Sequence, residues 1–454
     1  MTEERRLAKF VHGHRRDQIP EDVLQTVNRM LLAVTGSAVA GAAEEGLAQL
    51  RADLLDRGGK PEATVMVYGD KLPAPSAALL NGVMCRALDF CDAMSPGLHI
   101  GSSLIPAALA AAELRGGCDG REFITALVVG AEAASRMNLT GEDYDGFDPT
   151  GVAGVFGATA ATARILDLSE DQVLHALALA FNRCGGSFQS NVDGSLAVRL
   201  IQGWVAEAGV TSALLAKSGF TGPENFLDGI YGYMHLFAKD RRQAGDLLAG
   251  LGESYALKRI HFKRYPSCGC TQAATELTLN IAGEADLKVD QIETIEVRLP
   301  PYSYRLVGHP FAIGENPRVD AQFSAQYCIA SALVRGSSIL EHFRPAEISD
   351  PEVLGLAQRI KVLSDPAIDN QGRTSADLTM VTSDGRRYSQ RLDVAPGNPE
   401  NPLRKEEHLS RFMDCMSYAE TPLPTDQASE LTEAIAGLDG LDDARSLIGL
   451  LVVP

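Results

Sequence analysis

The stretch FITALVVGAEAASRM, Phe123 to Met137, decides the architecture. Apolar side chains recur along it at helical spacing and cover nearly every face, with Glu132 and Arg136 its only charges. A helix that is apolar all round belongs in an interior, packed between other elements. Length and charge argue against a membrane span, which needs ~20 predominantly apolar residues. The same holds for LIPAALAAAEL at 104–114. Working outward, segments 21–40, 73–89, 102–114, 151–166, 169–184 and 199–217 carry the same helical period, with few alternating β-branched runs. So many buried helices predict an all-α first domain.

The pattern changes after Tyr265. QIETIEVRLP (291–300) alternates Ile295, Val297 and Leu299 with polar residues, as a half-buried strand does. ADLTMVTSDGRRYSQRLDV (376–394) gives two such runs around Ser383-Asp384-Gly385, a hairpin signal. Helical patterns lie between them at 271–283, 321–335 and 351–359, and helical periodicity resumes at 405–418 and 426–438. The predicted fold is mainly α, in two domains. One is a discontinuous all-helical bundle made of residues 1–263 and 404–454; the other is an inserted α+β domain with an antiparallel element, residues 264–403. A length of 454 residues suits two or three folding units, since single cores stop growing near ~250–300 residues.

Acidic side chains outnumber basic ones 59 to 41, for a formal charge of −18. That field repels polyanions, so no nucleic-acid partner is expected. The N-terminal MTEERRLAKF mixes charges of both signs with no apolar run after it, which predicts a cytoplasmic protein without a signal peptide or membrane partner. Cysteines 85, 91, 118, 184, 268, 270, 328 and 415 form no CxxC pair and read as reduced, mostly buried thiols. Cys268-x-Cys270 lacks zinc spacing, so no metal is expected. Absence of a GxxxxGK[ST] loop and of a GxSxG elbow argues against a nucleotide cofactor and a serine hydrolase. The expectation is an enzyme without a cofactor.

Against this acidic background the run KRIHFKR, 258–264, gathers Lys258, Arg259, Lys263 and Arg264 around His261, at the predicted domain crossover. Domain interfaces favour ligand pockets, so these cations are expected to line an interdomain cleft for a small anion. A second stretch, NGVMCRALDFCDAMSPGLHIGSSLIPAALA (81–110), puts His99 just ahead of a Gly101-Ser102-Ser103 helix start. Free N–H groups there would dock a carboxylate beside His99; alternatively Ser102 is an N-cap and His99 a satisfied loop histidine. In GFDPTGVAGVFGATAATARIL (146–166), Asp148 and Thr150 read as helix caps. Arg199, at the start of a buried helix, is either an ion-pair partner or an anion ligand.

Taken together, NG..CRALDFCDA, H..SSLIPAALA, DPTGVAGVFGA, DGSLAVRL, FKRYPSCGCTQAA and AQFSAQYCIA resemble the MmgE/PrpD family, in order along nearly the whole chain. This is a family of dehydratases, decarboxylases and epimerases of small carboxylic acids. The resemblance implies a homodimer with its active site between the two domains. It matches Asp89 and His99 to the family's acidic and histidine positions, Lys263 to the lysine of its FKRYP-like motif and Tyr327 to the tyrosine of its FSxQY-like motif. Some positions depart from the pattern. Asp148-Pro149-Thr150-Gly151 stands where HPTG is common, Val198-Arg199-Leu200-Ile201 where a Lys-Arg-Leu-His run is, Cys268 where a histidine is, and Ala93 where a threonine is.

Chemistry beside a carboxylate needs a base for the α-proton and cations for the developing enolate. The expected roles follow. His99 and Lys263 form a proton-transfer pair with Asp89 beside them, and the cations of KRIHFKR repel the charge on Lys263. Arg199, Arg264 and Ser102 hold the substrate, with the arginines on carboxylate oxygens; Tyr327 donates a proton. Cys268 is a second base or a small buried residue. The expected activity is a hydro-lyase acting on a small di- or tricarboxylate. Alternatives are a two-base epimerase, using Lys263 with Cys268 or His99, and a non-catalytic carboxylate-binding protein.

Overall fold

The computed structural model describes residues 1–139, 143–371 and 374–454. Phe123–Met137 lies in a helix, Gly120–Met137, in which every residue of that stretch is buried. Asp119 caps it by accepting the Glu122 N–H at 2.8 Å. The chain divides by its internal contacts into two units. A helical unit gathers Met1–Ser190, Leu196–Ile260 and Cys415–Pro454; a mixed unit gathers Asn191–Ser195 and His261–Asp414.

In the helical unit the main helices are α1 (Glu3–Gly13), α2 (Glu21–Gly41), α3 (Leu47–Arg57), α4 (Ala74–Arg86), α5 (Gly101–Arg115), α6 (Gly120–Met137), α7 (Val155–Ile165), α8 (Glu170–Phe181) and α9 (Ala197–Lys217). Helix α9 packs on α4, α7 and α8, while α6 packs on α7 and α4 on α5. Small residues set how closely these helices approach. A Cβ on Gly203 of α9 would lie 2.5 Å from the Leu79 carbonyl oxygen of α4, and one on Gly82 would lie 2.9 Å from Gly203 Cα. Backbone therefore touches backbone along the α4–α9 seam. Ahead of α7 the first turn, Thr150–Gly154, is a π-helix rather than the regular α start expected there.

The charges of α6 are spent inside the unit. Glu132 is fully buried; it pairs with Arg136 Nε at 2.6 Å and accepts the N–H groups of Ala256 and Leu257 at 3.0 Å each. Arg136 in turn donates to the carbonyls of Leu247, Ala249 and Ser254.

The mixed unit carries helix α10 (Gln272–Glu284), strand β1 (Ile292–Leu299), helices α11 (Pro317–Gln322), α12 (Ala325–Arg335) and α13 (Pro351–Ala357), and strands β2 (Ile360–Ser364), β3 (Ala376–Thr382) and β4 (Arg387–Leu392). The sheet order is β2-β1-β3-β4. The predicted hairpin is present: β3 and β4 pair antiparallel, and Gly385 sits at φ 82° in the turn. Two expectations change. Strand β2 was not foreseen; it pairs parallel to β1, so the expected antiparallel element is part of a mixed sheet. The single helix expected over 321–335 is two, because Ser324 leaves the helical conformation and caps α12 through the Tyr327 N–H at 3.1 Å. Helices α14 (Lys405–Tyr418) and α15 (Thr425–Ala436) follow.

All eight cysteines are free thiols, and six of them are buried. Among the described residues no helix is long and apolar enough to cross a membrane, and no group of three or more His, Cys, Asp or Glu side chains is placed to hold a metal ion.

Candidate active site

The connection from α4 to α5 builds a polar cluster inside the helical unit. As the chain leaves α4, Asp89 adopts a left-handed backbone, φ 52°, a conformation aspartate tolerates better than most residues. Its carboxylate pairs with Arg86, and both side chains are buried. Reciprocal backbone bonds between Met94 and Leu98, 2.8 and 2.9 Å, close the following turn and bring His99 back toward Asp89 and Asp92.

His99 Nδ1 lies 2.8 Å from the Asp92 carbonyl oxygen. A carbonyl can only accept, so Nδ1 carries the proton and Nε2 of the neutral ring is the basic nitrogen. Asp89 Oδ1 stands 3.8 Å from that Nε2. A proton taken there would be stabilised by the carboxylate. Cys91 Sγ lies 3.5 Å from Nδ1, on the donor side of the ring. The His99 backbone N–H donates to Thr150 Oγ1 at 3.0 Å, and Gln202 Nε2 lies 3.4 Å from the same oxygen.

One expectation is corrected here. The start of α5 does not offer open N–H groups to a substrate carboxylate, because Asp92 supplies one from within. Its carboxylate accepts the N–H of Ile100 at 3.1 Å and of Gly101 at 3.0 Å. Gly101 allows this approach, since a Cβ at that position would lie 2.5 Å from Asp92 Oδ1. Ser102 is not the N-cap; Ile100 holds that position, and Ser102 is buried with Cys91 Sγ 4.0 Å from its hydroxyl. Asp148 does cap, accepting the N–H groups of Thr150 and Gly151 at 2.8 and 3.1 Å. Burial raises its carboxyl above the usual range, outweighing those bonds and the nearby Arg86.

Arg199 lies in the same unit with internal partners. It donates to the Glu45 carbonyl at 3.0 Å and stands 4.0 Å from the Glu44 carboxylate, which also accepts from Tyr418 at 2.8 Å. This is the ion-pair alternative for Arg199.

The remaining predicted residues lie in the mixed unit. Lys263 is buried and follows the short strand His261–Phe262. The Phe262 N–H donates to the Gly397 carbonyl at 2.9 Å. Gly397, at φ 90°, is required there, because a Cβ would lie 1.7 Å from the Phe262 oxygen. The next loop is held by two glutamines. Gln272 bonds both the N–H and the carbonyl of Tyr265, at 2.9 and 3.0 Å, while Gln322 donates to the Pro266 carbonyl at 2.9 Å and accepts the Cys268 N–H at its own carbonyl, also at 2.9 Å. Cys268 is buried at the edge of the unit's apolar core.

Two further residues carry internal partners. Arg264 pairs with Glu276 at 3.0 Å and Glu407 at 3.3 Å, so its charge is countered by two carboxylates. Tyr327 is fully buried between Phe311 and Phe343, donates to the His342 carbonyl, and is raised above the ordinary phenol range by burial.

The imidazole of His261 is held down at about 4, by burial first and by the Lys263 cation second. The folded protein therefore binds this proton more weakly than the unfolded chain. Stability from this group is complete above the ordinary histidine value of 6.5 and is lost as pH falls toward 4. Between pH 7 and pH 5 the wild type should lose about 2 kcal/mol more than His261→Gln. Urea unfolding of both proteins at the two pH values measures it, and equal losses would refute the assignment.

Residues that the sequence did not single out for the site are Arg86, Asp92, Thr150 as a partner of His99, and Gln202. A polar side chain in an otherwise apolar helix was the available signal for Arg86 and Gln202.

These features describe a mainly helical protein with a buried histidine–carboxylate cluster in one unit and a buried lysine in the other. The sequence profile of the MmgE/PrpD N-terminal domain matches residues 5–245, and that of the MmgE/PrpD C-terminal domain matches residues 265–437. The chain belongs to the MmgE/PrpD family. It is similar to human cis-aconitate decarboxylase, 26% identical over 98% of this chain and 94% of that protein. The mouse enzyme of the same name is also 26% identical, over 98% and 93%. An Aspergillus terreus cis-aconitate decarboxylase is 26% identical over 96% and 93%.

Proposed function

We propose that this protein is a lyase that removes an α-proton from a small di- or tricarboxylate, with His99 as the base. One observation carries the reading: the Asp92 carbonyl accepts a hydrogen bond from Nδ1–H and so leaves Nε2, 3.8 Å from Asp89, as the proton acceptor. In the hydro-lyase form the C–H electron pair becomes the new double bond and the β-hydroxide departs with a proton as water. Lys263 supplies the positive charge that the enolate needs. Asp89 holds the imidazolium. Arg199, Arg264 and Tyr327 are left out of the chemistry, since their polar groups bind the protein itself. The family's discontinuous helical domain, its inserted α+β domain and its homodimer belong to the same proposal.

An epimerase reading draws support from Cys268, a thiol at a position where the family commonly has a histidine. A two-base mechanism needs only a second proton carrier. Proton NMR in D2O separates the readings, with malate, citrate, methylcitrate, cis-aconitate, tartrate and amino-dicarboxylates as the panel. Alkene signals, or hydration or decarboxylation products, are the expected result. Deuterium entering an α-carbon with no alkene would replace the lyase by the epimerase. No change in any acid would overturn both.

A further inference from the structure

Among the buried polar side-chain atoms of the helical unit that have no hydrogen-bond partner among the described residues, two belong to direct neighbours of the partners of His99: Arg86 Nε, beside Asp89, and Gln202 Oε1, beside Thr150. Arg86 is 5% exposed and Gln202 2%. Buried donors and acceptors are nearly always satisfied, so each such atom calls for an explanation. Both side chains flank the α4–α9 seam, since Arg86 is one helical turn beyond Gly82 and Gln202 precedes Gly203.

The hydrogen-bond chain fixes which end of Gln202 is left without a partner. The Thr150 hydroxyl oxygen accepts the His99 N–H at 3.0 Å. The amide nitrogen of Gln202 donates to the same oxygen at 3.4 Å, and the amide oxygen points elsewhere without a partner. Arg86 meets Asp89 through Nη1, which leaves the Nε edge of its guanidinium as a separate donor. A donor and an acceptor are thus presented by residues tied to the two partners of His99, Asp89 and Thr150.

We propose that Arg86 and Gln202 determine substrate specificity. Arg86 Nε–H holds a carboxylate oxygen, and Gln202 Oε1 accepts from a hydroxyl on the adjacent carbon. The substrate class is then a hydroxy acid and not its deoxy counterpart. A hydroxyl fits better than an ammonium, because the Arg86 cation repels a second positive charge. This rests on the proposed use of the His99 cluster as the substrate site.

Calorimetric binding of each malate enantiomer and of succinate tests the pair, since these acids differ by one hydroxyl. Product formation is followed by NMR in the same samples. Wild type should bind one malate enantiomer at least about tenfold more tightly than succinate. Gln202→Leu should bring the two within about threefold with succinate binding unchanged, while Gln202→Glu, which keeps an acceptor oxygen, should retain the preference. Equal wild-type binding, no binding of either acid, or a preference that survives Gln202→Leu would overturn the assignment. The wild-type comparison decides even if the leucine variant does not fold. A malate preference without turnover of any acid would sink the lyase reading and leave this assignment standing.

Discussion

Turnover of the acid identified in D2O falls by about two to four orders of magnitude in His99→Asn, the range that loss of a general base produces. Asparagine is the informative replacement because its amide nitrogen reproduces the Nδ1–H that donates to the Asp92 carbonyl, while the basic Nε2 is deleted. The turn and the Thr150 contact, which uses the His99 backbone N–H, stay intact. The loss should therefore appear in kcat more than in the midpoint of thermal unfolding. Activity within about threefold of wild type would remove His99 from proton transfer.

Glu132→Ala should destabilise the protein by about 3–5 kcal/mol, the cost of leaving a buried charge without its partner. The carboxylate is fully buried, faces Arg136 at 2.6 Å, and closes the backbone of Ala256 and Leu257 with two bonds of 3.0 Å. Removing it strands a guanidinium and two N–H groups at once. Glu132→Gln keeps one acceptor oxygen and should cost less. Urea unfolding at neutral pH measures both variants, and a cost below about 1 kcal/mol for the alanine variant would show that water replaces the carboxylate.

The helices were legible because their signal is local. The all-apolar character of 123–137 and the period of 21–40 and 199–217 arise within each segment, and the observed helices cover them. Strand β1 and the β3–β4 hairpin were read from alternation and from Ser383-Asp384-Gly385 for the same reason. Strand β2 was not: IKVLS at 360–364 is short, and its partner β1 lies far away in sequence. Parallel pairing leaves no turn signal between the partners. The break at Ser324 was also hidden, because Ala, Gln and Tyr continue a helical pattern through a serine that caps instead.

The site was legible by residue type and only partly by role. Sequence picked out Asp89 and His99, but for the start of α5 it offered open N–H groups or a Ser102 cap, and Asp92 fills that place instead. It gave Arg264 to a substrate and left Arg199 as an ion-pair partner or an anion ligand; each has carboxylate or carbonyl partners within the protein. Charge is visible in a sequence, whereas the partner that neutralises it depends on which distant segments meet.

By itself the sequence determined the family, the predominance of buried helices, the acidic surface charge and the presence of a histidine and an aspartate ten residues apart in a loop, all properties of short windows or of composition. Only the tertiary structure decided that Nε2 is the basic nitrogen of His99, that Asp92 closes the α5 terminus, that Glu132 is a buried anchor, and that Arg86 and Gln202 each keep one polar atom unpaired. Each of these depends on hydrogen-bond donors and acceptors brought together by the turn at 94–98 and by helix packing at Gly82 and Gly203, and pairings of that kind follow from the folded path of the chain, which no local period encodes.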